Sequence, residues 1–276
     1  MSYDVLVIGG GPAGLSAAIN VRARGRSALV VSNPLEENPL WRAENGDNYL
    51  GLPGRSGAEL LTAMRRHAEQ AGAEFLAGKV LSALQMPDAW YVSVGPDMYN
   101  ARAVVLAAGV ARGRKFPGEA ELLGRGVSYC ATCDGMLYRG KAVAVVGFSD
   151  TARQEAEFLQ KIGCSVTYFD RPKQCEIRGD GRVESVTCDG RTIPAEGVFI
   201  LRPTMAPTEL FPGLAVEQGY VTVDRRMATS LPGLFAAGDC TGGPLQVSKA
   251  VGEGLIAGQS AAALSLIHIS EPTRPE

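Results

Sequence analysis

Histidine is nearly missing: the 276 residues hold two, His67 and His268. His67 falls on an expected surface helix, and His268 lies near the end of the chain, so a Cys–His catalytic pair is not expected. Long apolar runs are missing too. No segment approaches the roughly 20 apolar residues that a bilayer span requires. The chain enters Val5-Leu6-Val7-Ile8 without a basic leader, so no signal peptide is expected. Charge of one sign is also lacking. The 27 Lys and Arg nearly balance the 29 Asp and Glu, giving a net charge of -2 and a pI near 5.9. Basic residues are scattered, and short clusters such as Arg112, Arg114 and Lys115 read as solvated surface. A nucleic-acid or membrane-binding face is therefore not expected. The six cysteines are unevenly spaced and do not read as a disulfide scaffold. These absences together place the protein in the cytoplasm, where a disulfide is usually a working part.

Glycine is plentiful, with 34 residues, many clustered directly after apolar runs. The same pattern occurs twice. A strand at 3–8 runs into a glycine-rich turn, a helix at 14–24 and a strand at 27–31. A strand at 142–146 runs into a turn at Gly147, a helix reaching 161 and a strand at 165–169. Both read as βαβ units of an α/β protein, each of the nucleotide-binding type. A helix at 57–70 and strands at 90–94 and 103–107 lie between them. A strand at 233–239 and a helix at 246–263 follow. The expected architecture has two Rossmann-like, three-layer domains. One is discontinuous, built from 1–112 and 228–264, with 113–227 inserted as a smaller domain. The last dozen residues, 265–276, resemble a translated sequencing adapter, and the final natural helix is expected to be cut short there.

The first turn, Gly9-Gly10-Gly11-Pro12-Ala13-Gly14, fits G-x-G-x-x-G between strand and helix. Gly9 permits the tight turn, Gly11 lets pyrophosphate approach the backbone, and Gly14 allows close contact of helix and strand. The helix N-terminus supplies N–H donors for the phosphates. At the end of the next strand, Ser32-Asn33 stands where a ribose-binding acid is usual. That tells against a simple NAD site but not against FAD, which has other anchors. Asp239, after Gly238, is a candidate for the ribityl hydroxyls; its alternative is an N-cap for the following helix.

Cys130-Ala131-Thr132-Cys133-Asp134-Gly135 carries the strongest chemistry. Two intervening residues let the thiols close a small disulfide ring. A helix N-terminus would favour the nucleophilic thiolate, and exchange would pass through a mixed disulfide. Asp134 is the expected proton carrier. The alternative is half a zinc site, but neither a second C-x-x-C nor H-x-x-x-H completes it, and no metal is expected. Cys164, Cys175 and Cys188 read as inert packing or surface residues, while Cys240 follows Asp239 near the expected flavin.

The second turn, Gly147-Phe148-Ser149-Asp150-Thr151-Ala152, keeps its first glycine and closing alanine. Ser149 replaces the middle glycine, where a side chain would crowd a pyrophosphate. Asp170-Arg171-Pro172 ends the next strand. Arg171 reads as a contact for a 2′-phosphate or, equally, as a solvated loop residue.

Gly9 to Gly14, Asn48-Tyr49-Leu50-Gly51, Ala107-Ala108-Gly109, Cys130 to Gly135 and Thr229 to Asp239 occur in the order seen in low-molecular-weight thioredoxin reductases, and the chain resembles that family up to about Leu264. The resemblance implies a homodimeric FAD enzyme that reduces thioredoxin. Cys133 would face the flavin, Cys130 would attack the partner disulfide and Asp134 would be the acid. Ala108, Gly109, Gly238 and Asp239, with Asn48, Val80, Gln246 and Val247, would line the flavin site. In the NADPH-using members the second turn is complete and is followed by His-Arg-Arg. Here both are lost, 171–197 is compressed, and Leu40-Trp41-Arg42 replaces a Gly-Gly-Gln turn. Trp41 reads as a flavin or dimer contact or as a packed core residue. Cys240-Thr241-Gly242 and 249–254 add to the likeness of a branch that includes the ferredoxin- and flavin-linked reductases. Reduced ferredoxin is therefore the expected donor. The rivals are NADPH with an eroded motif, a small-molecule dithiol oxidase, and a non-catalytic flavin redox sensor.

Overall fold

The computed structural model describes residues 2–44, 48–110, 115–149, 151–202 and 206–267. Arg112, Arg114, Asp150, His268 and the chain after Ile267 lie outside them. The chain divides into two compact units, one of Met1–Ala111 with Met205–Glu276 and one of Arg112–Thr204.

The first unit opens with β1 (Ser2–Ile8), α1 (Pro12–Arg22), β2 (Ala28–Ser32), α2 (Gly57–Gln70), β3 (Glu74–Ala77), β4 (Val80–Gln85), β5 (Trp90–Val94) and β6 (Asp97–Leu106). The second holds β7 (Val127–Ser128), α3 (Ala131–Asp134), β8 (Ala142–Gly147), α4 (Thr151–Lys161), β9 (Ser165–Asp170), β10 (Cys175–Arg178), β11 (Ser185–Cys188), β12 (Arg191–Pro194) and β13 (Gly197–Leu201). The chain then returns to the first unit with α5 (Pro207–Leu210), β14 (Val216–Glu217), β15 (Tyr220–Val221), β16 (Leu234–Ala236) and α6 (Val247–Ile267).

In the first unit the sheet order is β3-β2-β1-β6-β5-β4, with β16 also paired to β6. The pairings of β1, β2, β3, β6 and β16 are parallel, while β4 and β5 are antiparallel additions. β1 has no polar face over Val5–Ile8 because both of its sides are covered, as parallel strands require. Val5 and Val7 pack with alanines of α1 and α6. Leu6 and Ile8 point the other way, toward Trp90, Leu210, Phe211 and Val221. α2 begins at a capping box in which Ser56 and Glu59 satisfy each other's backbone N–H groups.

The expected insert boundary of 227 therefore moves to 204. The apolar side chains of 210–221 join the first unit's sheet, and that burial keeps the segment there. The last helix also runs past 264. Ser265 is fully buried and its carbonyl accepts from Arg102 Nη1 at 3.0 Å.

The second unit has an all-parallel sheet, β7-β13-β8-β9, and a separate antiparallel sheet, β10-β11-β12. The antiparallel sheet fills the stretch expected to be compressed. Among the described residues no helix is long and apolar enough to cross a membrane.

Candidate active site

The sequence pattern of the first turn becomes a cradle at the carboxyl ends of β1, β2, β6 and β16, where open α/β sheets bind ligands. Gly9 has φ +112°, and a Cβ there would run into the Ala107 carbonyl, which draws Ala108 and Gly109 to the turn. A Cβ on Gly14 would run into the Gly9 carbonyl. α1 starts with Gly11 as N-cap and Pro12 in its first turn, and no side chain caps it. Its first N–H groups thus remain for a ligand oxygen, apart from the donor that proline lacks. Ser32 closes β2 against Gly10, with Asn33 next to it. Gly78 N–H donates to the Ser32 carbonyl at 3.1 Å, which brings Val80 near the same corner. The Val80 side chain is buried in the core, and Val80 pairs with Val94 of β5. Asn38 was not foreseen in this region. Its amide nitrogen lies 3.1 Å from where a Gly11 Cβ would stand.

Gly238 is pressed against Ala13, the second residue of α1. Asp239 begins a short 3-10 turn, Asp239–Thr241, well before α6. The N-cap alternative for Asp239 is therefore excluded. Two α6 residues hold this turn. Lys249 Nζ donates to the carbonyls of Gly238 (2.9 Å) and Gly242 (2.7 Å), and Glu253 Oε2 accepts from Gly238 N–H (2.8 Å) and Thr241 Oγ (2.8 Å). α6 can reach because Gly254 and Gly258 meet the Ala13 and Ala17 carbonyls with no room for a side chain. Gln246 and Val247 stand at its start, and Asn48 Nδ2 donates to Gln246 Oε1 at 2.6 Å. Trp41 lies half-buried on a 3-10 turn, Pro39–Arg42.

Cys240 is core. Its thiol donates to the Ala237 carbonyl at 3.3 Å, and burial pushes it up to about 12. It is not a thiolate near neutral pH.

In the second unit Cys130 and Cys133 are disulfide-bonded, with Cα atoms 5.4 Å apart. Cys130 is the N-cap of α3, and its sulfur accepts from Cys133 N–H at 3.1 Å. That donor favours the thiolate once the bond opens. Cys133 is exposed, while Cys130 and Asp134 are half-buried. Ser128 Oγ donates to Asp134 Oδ2 at 2.7 Å and accepts from Cys130 N–H at 3.1 Å. Glu155 of α4 accepts from Ala131 N–H at 3.2 Å.

The turn after β8 is filled by its own side chains. Ser149 Oγ accepts from Ala152 N–H (3.3 Å) and lies 2.9 Å from Thr151 Oγ, so it occupies the helix end where a phosphate would sit. The Tyr168 hydroxyl fills the space over Gly147. Asp170 is paired with Arg153 at 2.8 Å. Phe148 stacks on Phe116 (6.1 Å between ring centres), and the Arg202 guanidinium lies over both rings. Arg202 Nη2 donates to fully buried Glu119 at 2.8 Å, and Tyr129, next to Cys130, donates to the same carboxylate at 3.1 Å. Burial alone would push the Glu119 carboxyl up, but Arg202, Phe116 N–H and Tyr129 outweigh it and hold it below the usual range.

The sequence reads Cys175 and Cys188 as inert packing or surface residues, and the structure corrects this. They form a second disulfide, because the antiparallel register of β10 and β11 sets them directly opposite, with Cα atoms 4.2 Å apart. Cys164 is a buried free thiol. Among the described residues no three His, Cys, Asp or Glu gather as a metal would need.

The family model for pyridine nucleotide-disulphide oxidoreductase matches residues 3–178 and 171–254. A thioredoxin reductase of Bacillus subtilis (strain 168) is 34% identical, over 94% of this chain and 93% of that protein. The solved Ferredoxin-Flavin Thioredoxin Reductase of Clostridium acetobutylicum superposes with a TM-score of 0.93 at 35% identity, covering 98% of this chain and all of that one. A thioredoxin reductase of Gloeobacter violaceus superposes at 0.84 with 29% identity, covering 100% of this chain and 97% of that one.

Proposed function

Because the chain belongs to the pyridine nucleotide-disulphide oxidoreductase family, a family of FAD-dependent oxidoreductases, we propose that it reduces the disulfide of thioredoxin with electrons from reduced ferredoxin. FAD fits the first turn: Gly9, Gly11 and Gly14 put no side chain of their own into the cradle, and the start of α1 has no side-chain cap. When bound it would take single electrons and release them in pairs. Gly9–Gly14, Ser32, Asn33, Asn48, Val80, Ala108, Gly109, Gly238, Asp239, Gln246 and Val247 would hold it, with Lys249 and Glu253 fixing the Asp239 turn. Cys130 would attack the partner disulfide, Cys133 would resolve the mixed disulfide, and Asp134 would carry the proton.

The observation that carries the choice of donor is the self-capped second turn. Ser149 spends its hydroxyl on the helix end that a nicotinamide dinucleotide would need. The likeness to a ferredoxin-linked reductase supports it. Energetics permit it as well. Plant-type ferredoxin lies near ~−400 mV and thioredoxin near ~−270 mV, and a gap of ~130 mV is worth ~6 kcal/mol for two electrons. The partners we infer also include a second copy of this chain, on the side where Leu245, Leu255 and Ile256 are exposed. Cytoplasmic location goes with this reading.

Purified protein should be mixed with thioredoxin and, in turn, with reduced ferredoxin or NADPH. Turnover with ferredoxin alone is expected. Rapid turnover with NADPH alone would overturn the donor while leaving the thiol chemistry. Hydrogen peroxide from small dithiols without thioredoxin turnover would make it an oxidase. Reversible disulfide cycling without any turnover would make it a sensor.

A further inference from the structure

We propose that Ser128 is a positioning residue that holds Asp134 for proton transfer at Cys130, an inference that rests on the thiol-exchange reading above. Ser128 is the last residue of β7, 4% exposed and fixed by pairing of β7 with β13. A hydroxyl has one proton and two lone pairs. Here the proton goes to Asp134 Oδ2 (2.7 Å) and one lone pair takes Cys130 N–H (3.1 Å). The Cys130 carbonyl, at 3.2 Å, competes for the same proton, and the charged acceptor is the stronger one. Asp134 itself ends a four-residue helix and is half-buried. Ser128 thus ties a carboxylate on a short helix to the rigid sheet and to the backbone of the attacking cysteine.

The surrounding charges leave this tie distinct. From α4, Glu155 takes Ala131 N–H, Arg153 is paired with Asp170, and Glu157 and Lys161 are exposed. From the following 3-10 turn, Gly135–Tyr138, Tyr138 is pushed up by burial and by the charge of Asp134. Burial also raises the Cys164 thiol, which donates to the Tyr138 carbonyl at 3.1 Å. Behind Tyr129, Glu119 is held by Arg202.

The step balances as follows. The Cys130 thiol of the reduced pair gives its proton to Asp134. The thiolate attacks one sulfur of the partner disulfide, that S–S bond breaks, and a Cys130–partner disulfide forms. The leaving sulfur keeps the electron pair and takes the proton from Asp134. The Cys133 thiol then loses its proton by the same carboxylate and attacks Cys130. The Cys130–Cys133 bond reforms, and the second partner sulfur leaves and is protonated. The pair is oxidised by two electrons and the partner disulfide is reduced by two.

The test uses the full FAD-loaded chain as parent, S128A, S128T, D134N and S128A/D134N. After reduction with dithiothreitol, Cys130 alkylation by iodoacetamide is followed against pH by mass spectrometry, which needs neither donor nor thioredoxin. Ser128 fixes the place of the carboxylate relative to the attacking cysteine. S128A should therefore displace the alkylation profile from the parent's toward that of D134N. S128T should restore it, and S128A should add nothing in the D134N background. In turnover with ferredoxin, kcat should fall about tenfold in S128A with the KM for thioredoxin unchanged. An S128A profile equal to the parent's, or an equal slowing by S128A with and without Asp134, would overturn the proposal. Absence of thioredoxin turnover in the parent would instead sink the functional reading, and the alkylation profile would still decide the role of Ser128.

Discussion

After β1 the chain turns through Gly9, Gly11 and Gly14 and leaves the end of α1 uncapped. After β8 it turns through Gly147, Phe148 and Ser149, and the end of α4 is capped by Ser149. Both turns stand in βαβ units with parallel registers, so topology does not separate them. What separates them is where the polar groups find partners. An uncapped helix end retains N–H donors for a ligand, whereas a capped one has already satisfied part of that need. Around the second turn the Tyr168 hydroxyl, the Arg153–Asp170 pair and the Phe116–Phe148–Arg202 stack complete the closure. On the reading proposed above, the second βαβ unit serves as scaffold while side chains fill its turn. In this unit the scaffold presents Cys130 and Cys133.

The largest effect should come from breaking the closed side. R202M leaves Glu119 fully buried with its main counter-charge gone, and the cost of such a change is about 3–5 kcal/mol. Denaturant unfolding of the second unit should show it, and a loss under about 1 kcal/mol would mean that the Phe116–Phe148 ring pair, not Arg202, closes the turn. The parent's pH dependence follows from the same group. The Glu119 carboxyl is held below its ordinary range, so its contribution is present above the unfolded value of about 4.3 and is lost as pH falls through the lower folded value. R202M should flatten that acid limb.

The closed-turn unit also carries the Cys175–Cys188 staple, while the free Cys240 of the open-turn unit is simply packed. C175S/C188S should cost about 3 kcal/mol, the value for a loop of this length. Hydrogen exchange over 175–194 would read it, with α1 unaffected. Faster exchange in both units alike would break the comparison.

On the open side, G14V places a branched side chain against the Gly9 carbonyl. FAD binding should weaken about a hundredfold, the effect of roughly 2–3 kcal/mol of overpacking. Flavin fluorescence titration measures it, and parent-like affinity would mean that the turn is not the cradle.

Much of this contrast was legible in the sequence because it is local. The glycine spacing of 9–14, the Ser149 substitution and the two-residue gap between Cys130 and Cys133 all act within one turn. What escaped was non-local. Glu119 and Arg202 are 83 positions apart, and nothing in either segment names the other. Cys175 and Cys188 pair only through the register of β10 and β11. Leu210 and Phe211 are apolar in any reading, and only the assembled sheet decides which core takes them. Ser128 is silent in the sequence for the opposite reason: a single serine two residues before a cysteine carries no pattern, and only the fold sets its hydroxyl between Cys130 N–H and Asp134.

The smallest expected effect tests the contrast most directly. S149A removes the hydroxyl that caps α4 and adds no bulk, so the Ala152 N–H keeps only the Ser149 carbonyl, at 3.2 Å, as acceptor at the helix end. Loss of a serine cap costs about 1 kcal/mol, and the second unit should be destabilised by that amount with FAD affinity unchanged. If the cap alone excludes a dinucleotide, S149A should gain NADPH binding in a calorimetric titration. We expect no gain, because the Tyr168 hydroxyl still lies over Gly147 and Asp170 still places an acid by the phosphate position. NADPH binding by S149A at micromolar levels would reduce the difference between the two turns to one hydroxyl group.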